Sequence, residues 1–228
     1  MRRILSVQRP ELARTRTAVA CLLAVLATML GGCAWLDGKD RTFMYRPTPG
    51  RSEPFAGLRP GDEASLIAVP GNVSGTTDKL AIWWLPPSDP AAPTLFYLHG
   101  TFRNLYRNYP KIEALRDAGF GVVAVDYRGW GDSTPIVPSE KTILADAEAA
   151  WAELVRRQPD ARKRVIFGHS LGGAVAIDLA SRRRRDVDYG AVIVESTFPS
   201  LVDLAGSTAA RSPTRTGCSP THRSPARC

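Results

Sequence analysis

Six consecutive residues, Gly168-His169-Ser170-Leu171-Gly172-Gly173, constrain this chain most, because they join a short continuous apolar run at 165–167 to a helical stretch at 171–184. A serine at such a strand-to-helix turn is held in a strained backbone conformation that lifts its hydroxyl above the sheet. Glycines are needed on both sides because side chains there would collide with the adjoining strand and helix. The helix that follows aims its free backbone N–H groups at the same point, where they stabilise negative charge developing on an attacked carbonyl oxygen. Ser170 is therefore the candidate nucleophile.

The middle of the chain is patterned to carry such a turn. Apolar runs at 65–69, 80–85, 94–98, 121–125, 165–167 and 191–194 predict strands. The later ones are continuous rather than alternating, which marks strands covered on both faces of a parallel sheet. Helical patterns at 109–118, 140–157 and 171–184 lie between them. This alternation predicts an α/β fold with a doubly wound, mostly parallel sheet over residues 61–204. Residues 34–60, with scattered Gly and Pro and little periodicity, read as a tether leading into it. There is no internal repeat.

Charge narrows the partners. The 228 residues carry a net charge of +8, yet half of that excess lies in residues 1–33 and half in 204–228, so the middle is balanced. A nucleic-acid-binding face is not expected of the folded part. Cys21, Cys33, Cys218 and Cys228 all lie outside the middle, and no Cys/His group has metal-ligand spacing, so no metal and no cofactor is implied. Arg182 to Arg185 read as a solvated end of the last helix, with positive charge meeting the negative end of the helix dipole.

Three further motifs occur in order. Leu98-His99-Gly100-Thr101 follows the run at 94–98, Asp126-Tyr127-Arg128-Gly129-Trp130-Gly131-Asp132-Ser133 follows that at 121–125, and Glu195-Ser196-Thr197-Phe198 follows that at 191–194. With the serine turn, these make residues 65–204 resemble the α/β-hydrolase family of serine esterases and lysophospholipases. The resemblance implies hydrolysis of a carboxylic ester or related acyl bond of a small-molecule substrate. It assigns the oxyanion donors to the backbone N–H groups of Thr101 and Leu171. His99 becomes a structural turn residue, Asp126 and Asp132 become structural, and Arg128 ties the loop together.

Family order then places an acid and a histidine on later strands, and here the pattern stops. Residues 205–228 lose apolar periodicity and read as an aberrant, disordered tail. His222 lies in it with no preceding strand to position it, and Asp203 and Glu195 come too early to serve as the acid, so acid and base stay unknown. The expectation is a domain incomplete at its C-terminal end through a frameshift or premature stop, poorly soluble, and of doubtful activity. The alternative reading is a non-catalytic envelope lipoprotein, either a decayed hydrolase remnant or a binding domain that uses the old pocket.

The N-terminus reads as an address. Arg2, Arg3, Arg9, Arg14 and Arg16 precede an apolar run at 18–30 that is short for a membrane span. The run ends in Leu30-Gly31-Gly32-Cys33, which resembles the lipobox of bacterial lipoproteins. That resemblance implies a signal peptide over 1–32 and lipidation of Cys33. The membrane partner would then be held through acyl chains, at the bacterial cell envelope.

Overall fold

The computed structural model describes residues 36–197 together with Val19 and Leu23. Cys33, Asp203, His222 and the 205–228 tail lie outside the described residues. The described elements run β1 (Glu63–Pro70), β2 (Thr77–Leu85), β3 (Thr94–Leu98), α1 (Leu105–Asp117), β4 (Gly121–Asp126), α2 (Glu140–Arg157), β5 (Arg164–His169), α3 (Leu171–Ser181) and β6 (Ala191–Glu195). A helical segment at 36–45 precedes them.

The strands form one six-stranded sheet in the order β1-β2-β4-β3-β5-β6. β1 and β2 pair antiparallel, and β2 meets β4 antiparallel. β4, β3, β5 and β6 are parallel. This is the α/β-hydrolase arrangement of a mixed, mostly parallel sheet between helices. Every residue of β3 and β4 is buried, which explains their unbroken apolar sequences.

Alternation along the strands divides the core between two faces. Phe96, Leu98, Val123, Val125 and Ile166 point to one face, where Ile143, Trp151 and Leu154 of α2 and Val175 and Leu179 of α3 cover them. Leu95, Tyr97, Val122, Ala124 and Phe167 point to the other, beneath Leu105, Tyr106 and Ile112 of α1. A fully buried side chain of this size contributes about 1.5–3 kcal/mol, so neither layer is dispensable. β6 forms the outer edge of the described sheet, with Val192, Ile193 and Val194 exposed.

Three local features depart from the sequence expectation. α1 begins at Leu105 rather than 109, because the Asn104 side chain accepts from the Arg107 N–H (3.3 Å) and caps the helix, leaving Pro110 in its interior. α3 ends at Ser181, three residues short of expectation. Beyond it Arg183 is not solvated: its guanidinium lies 4.4 Å from the centre of the Trp151 ring and bonds Glu148 at 2.5 Å. Lastly, residues 45–59, read from sequence as part of a tether, lie against the domain. Tyr45 is buried, Asn104 donates to the carbonyls of Thr48 and Gly50, and Phe55 stacks on Trp83 at 5.4 Å. Their Gly and Pro content describes an irregular backbone, which is compatible with docking.

Candidate active site

The site is built where β5 turns into α3. Ser170 has φ 54° and ψ −118°, a positive φ that a residue with a side chain adopts only at a local cost of order 1–3 kcal/mol. It occupies the N-cap position of α3, yet its side chain makes no capping hydrogen bond. Serine normally spends its oxygen on that bond. Here the hydroxyl is left for the cleft.

The glycines answer to close approach. A Cβ on Gly168 would sit 2.2 Å from the Gly172 carbonyl oxygen, and one on Gly172 would sit 1.9 Å from the Leu98 carbonyl oxygen. The first turn of α3 therefore lies directly on the end of β3. Two bonds hold the turn from the other side: Ser170 N–H donates to the Glu195 carbonyl (2.9 Å) and Thr197 Oγ1 donates to the Ser170 carbonyl (3.1 Å).

β3 delivers the second component. Gly100 comes so near the serine that a Cβ there would be 2.9 Å from Ser170 Cβ. Thr101 follows, half-buried, and lines with Ser170 an open cleft of about 770 Å³. Leu171 is the first residue of α3 and is buried. Ser170, Thr101 and Leu171 thus share one locality, with the positive end of the α3 dipole directed to it.

His99 is fully buried, with Nδ1 2.7 Å from the Gly100 carbonyl and Nε2 3.2 Å from Asp126 Oδ1. Asp126 Oδ1 also accepts the N–H of Leu105 (2.9 Å), and burial pushes its carboxyl above the ordinary aspartate range. This pair joins β3, β4 and the start of α1 beneath the cleft. Arg128 is 4% exposed and spans Asp146 and Asp78, each at 2.8 Å. Asp132 accepts a short hydrogen bond from the Tyr106 hydroxyl.

Beside the serine the structure brings together three residues that sequence reasoning did not group. Lys111 Nζ lies 2.5 Å from Glu195 Oε2 and 3.4 Å from His169 Nδ1, and His169 Nδ1 is 3.7 Å from Glu195 Oε1. Burial, with the Lys111 charge next, holds the His169 imidazole below its usual range. The hydrogen bond from Lys111 holds Glu195 below the usual carboxylate range. His169 lines the cleft with Ser170, as do Arg103, Arg107 and Lys111.

A strained serine at a β5–α3 turn, above a mostly parallel sheet with helices on both faces, defines an α/β hydrolase. The family model described as serine aminopeptidase, S33, matches residues 89–209, and the chain belongs to that family. It is 35% identical over 133 residues to the protein YfhR of Escherichia coli K12, a match covering 56% of this chain and 46% of that one. It is 33% identical over 132 residues to the lysophosphatidylserine lipase ABHD12 of Danio rerio, covering 57% of this chain and 34% of the lipase. The matches thus span less than half the length of these two relatives. In fold it is similar to an esterase of Pyrococcus furiosus, with a TM-score of 0.51 at 23% identity over 74% of this chain and 63% of the esterase.

Proposed function

We propose that the chain is a serine hydrolase of carboxylic esters, with Ser170 as nucleophile and the Thr101 and Leu171 backbone N–H groups as oxyanion donors. The observation that carries this reading is the Ser170 conformation: φ 54° at the head of α3, uncapped, beside Gly100 and open to the cleft. Attack by Oγ on an acyl carbon gives a tetrahedral oxyanion, whose collapse expels the alcohol and leaves an acyl-enzyme for water to cleave.

His99 does not enter that scheme as the base, because it is sealed beneath the cleft against Asp126. Acid and base are left unassigned. An ester is preferred to a peptide with a free N-terminus because an ammonium group calls for a carboxylate partner, whereas the described residues that line the cleft include Arg103, Arg107 and Lys111 and no carboxylate. The lipase activity named for the Danio rerio relative agrees with an acyl-ester substrate.

The test is turnover of short-chain p-nitrophenyl esters beside alanine p-nitroanilide, with Ser170→Ala as control. The expected result is ester cleavage that vanishes in the variant, with little anilide cleavage. Preference for the anilide would overturn the ester assignment. Anchoring at the bacterial envelope through lipid on Cys33 belongs to the same proposal, and its support is the sequence Leu30-Gly31-Gly32-Cys33 behind a basic, then apolar, leader.

A further inference from the structure

We propose that the cleft over Ser170 carries an anion subsite, in which Arg103 and Arg107 hold a phosphate or carboxylate group of the substrate. The inference rests on the reading of Ser170 as nucleophile and adds the chemical class of its substrate: an anionic ester, with its apolar part against Phe102 and Pro110.

Arg103, Arg107 and Lys111 follow one another at intervals of four residues, and all three line the cleft. Arg107 and Lys111 lie within α1, where that interval stacks side chains along one face, and Arg103 stands just before the Asn104 cap. Lys111 is engaged by Glu195 at 2.5 Å. Arg103 and Arg107 are exposed, and neither guanidinium forms an ion pair with any carboxylate of the described residues. Several arginines elsewhere in the domain are matched by carboxylates, as Arg116 is by Asp62, Arg128 by Asp78 and Asp146, and Arg183 by Glu148, while the buried Arg164 spends its guanidinium on carbonyl oxygens.

The position of these two arginines is unfavourable for the helix itself. Arg107 occupies the first turn of α1 and Arg103 immediately precedes the Asn104 cap, at the positive end of the dipole; no residue of that turn is acidic, and the two carboxylates at this helix end are engaged elsewhere, Asp126 by the Leu105 N–H and His99, and Asp132 by the Tyr106 hydroxyl. Neither cation is placed to favour the helix, whereas an anion in the cleft would offset the charge of both. A guanidinium presents paired N–H donors that match phosphate and carboxylate oxygens, and it stays charged at any working pH.

Direct binding of hexyl phosphate by calorimetry tests the subsite, with hexan-1-ol and inorganic phosphate as companions. Wild-type protein should bind hexyl phosphate with an affinity that falls as salt rises. Arg103→Gln/Arg107→Gln should weaken it by about 10–100-fold, as expected for loss of one to two charge-assisted contacts. Weak binding of hexan-1-ol shows that the charge is recognised, and weaker binding of inorganic phosphate shows that the anion is taken as part of an amphiphile. Equal affinity for free phosphate would overturn the amphiphile assignment.

A second readout locates the site: saturating hexyl phosphate should slow modification of Ser170 by an uncharged fluorophosphonate. Binding that is unchanged in the double variant, or that fails to slow a Ser170 modification seen in its absence, overturns the proposal. Arginine-dependent binding to a protein whose Ser170 is never modified would sink the hydrolase reading while leaving the anion subsite standing.

Discussion

The backbone N–H of Ser170 donates to the carbonyl oxygen of Glu195 across 2.9 Å, so the nucleophile turn is tied to the end of β6 as well as to its own strand and helix. With the Gly172 contact on β3, the turn is gripped between two neighbouring strands. A strained φ survives only where its surroundings over-determine it, and these contacts are those surroundings.

Gly172→Ala tests that grip. Its Cβ would meet backbone rather than a flexible side chain, so α3 must shift. We expect a loss of about 3 kcal/mol in urea denaturation, the upper end for overpacking, together with loss of Ser170 reactivity. Unchanged stability and reactivity would show that the helix and strand are not in contact.

Arg128 is the electrostatic tie beneath the site. Replacing it with Met strands Asp146 and Asp78, and we expect a loss of about 3–5 kcal/mol by the same measurement. The pH dependence follows from Asp146, whose carboxyl burial raises to about 6. An unfolded aspartate titrates near pH 3.9, so between about pH 4 and pH 6 the native state holds more protons. Stability from this residue therefore falls as pH rises through that window. Arg128→Met removes the charge and hydrogen bonds that hold the carboxylate ionised, so the decline should deepen and extend above pH 6.

The Lys111, His169 and Glu195 cluster makes a prediction of opposite signs. His169 should titrate by NMR below an ordinary histidine. Lys111→Met removes a repelling cation and should move its pKa up, whereas Glu195→Gln removes an attracting anion and should move it down. Glu195→Gln keeps the backbone carbonyl that Ser170 uses, so Ser170 reactivity should survive it.

Lipidation at Cys33 is tested in bacterial cells. Labelled palmitate should be incorporated into the wild-type chain, and Cys33→Ser should abolish incorporation and release the protein from the membrane fraction. Equal labelling of both would place the lipid elsewhere or remove it from the account.

Much of the fold was legible because parallel strands buried on both faces leave unbroken apolar runs: 94–98 coincides with β3, and 121–125 with all but the last residue of β4. The serine turn was legible because close backbone approach demands glycine, and Gly168 and Gly172 stand at the points of contact. The cationic face of the cleft was not. With the start of α1 at 109, close to Pro110, Arg107 falls in a loop, where its interval of four residues from Lys111 has no geometric meaning. The Asn104 cap, which starts the helix at Leu105, puts Arg107 on one helix face with Lys111, and Arg103, still outside the helix, joins them at the cleft. The Lys111–Glu195 contact was equally hidden, because it joins α1 to the end of β6 across 84 residues and no local pattern encodes it.

We propose Ser170 as a poised nucleophile, and its reactivity can be read directly. The direct measurement is peptide mass spectrometry of the full chain after exposure to an uncharged fluorophosphonate. We expect one adduct per chain, on the peptide containing Ser170, absent in Ser170→Ala. No adduct on folded protein, or one that persists in the variant, would contradict it.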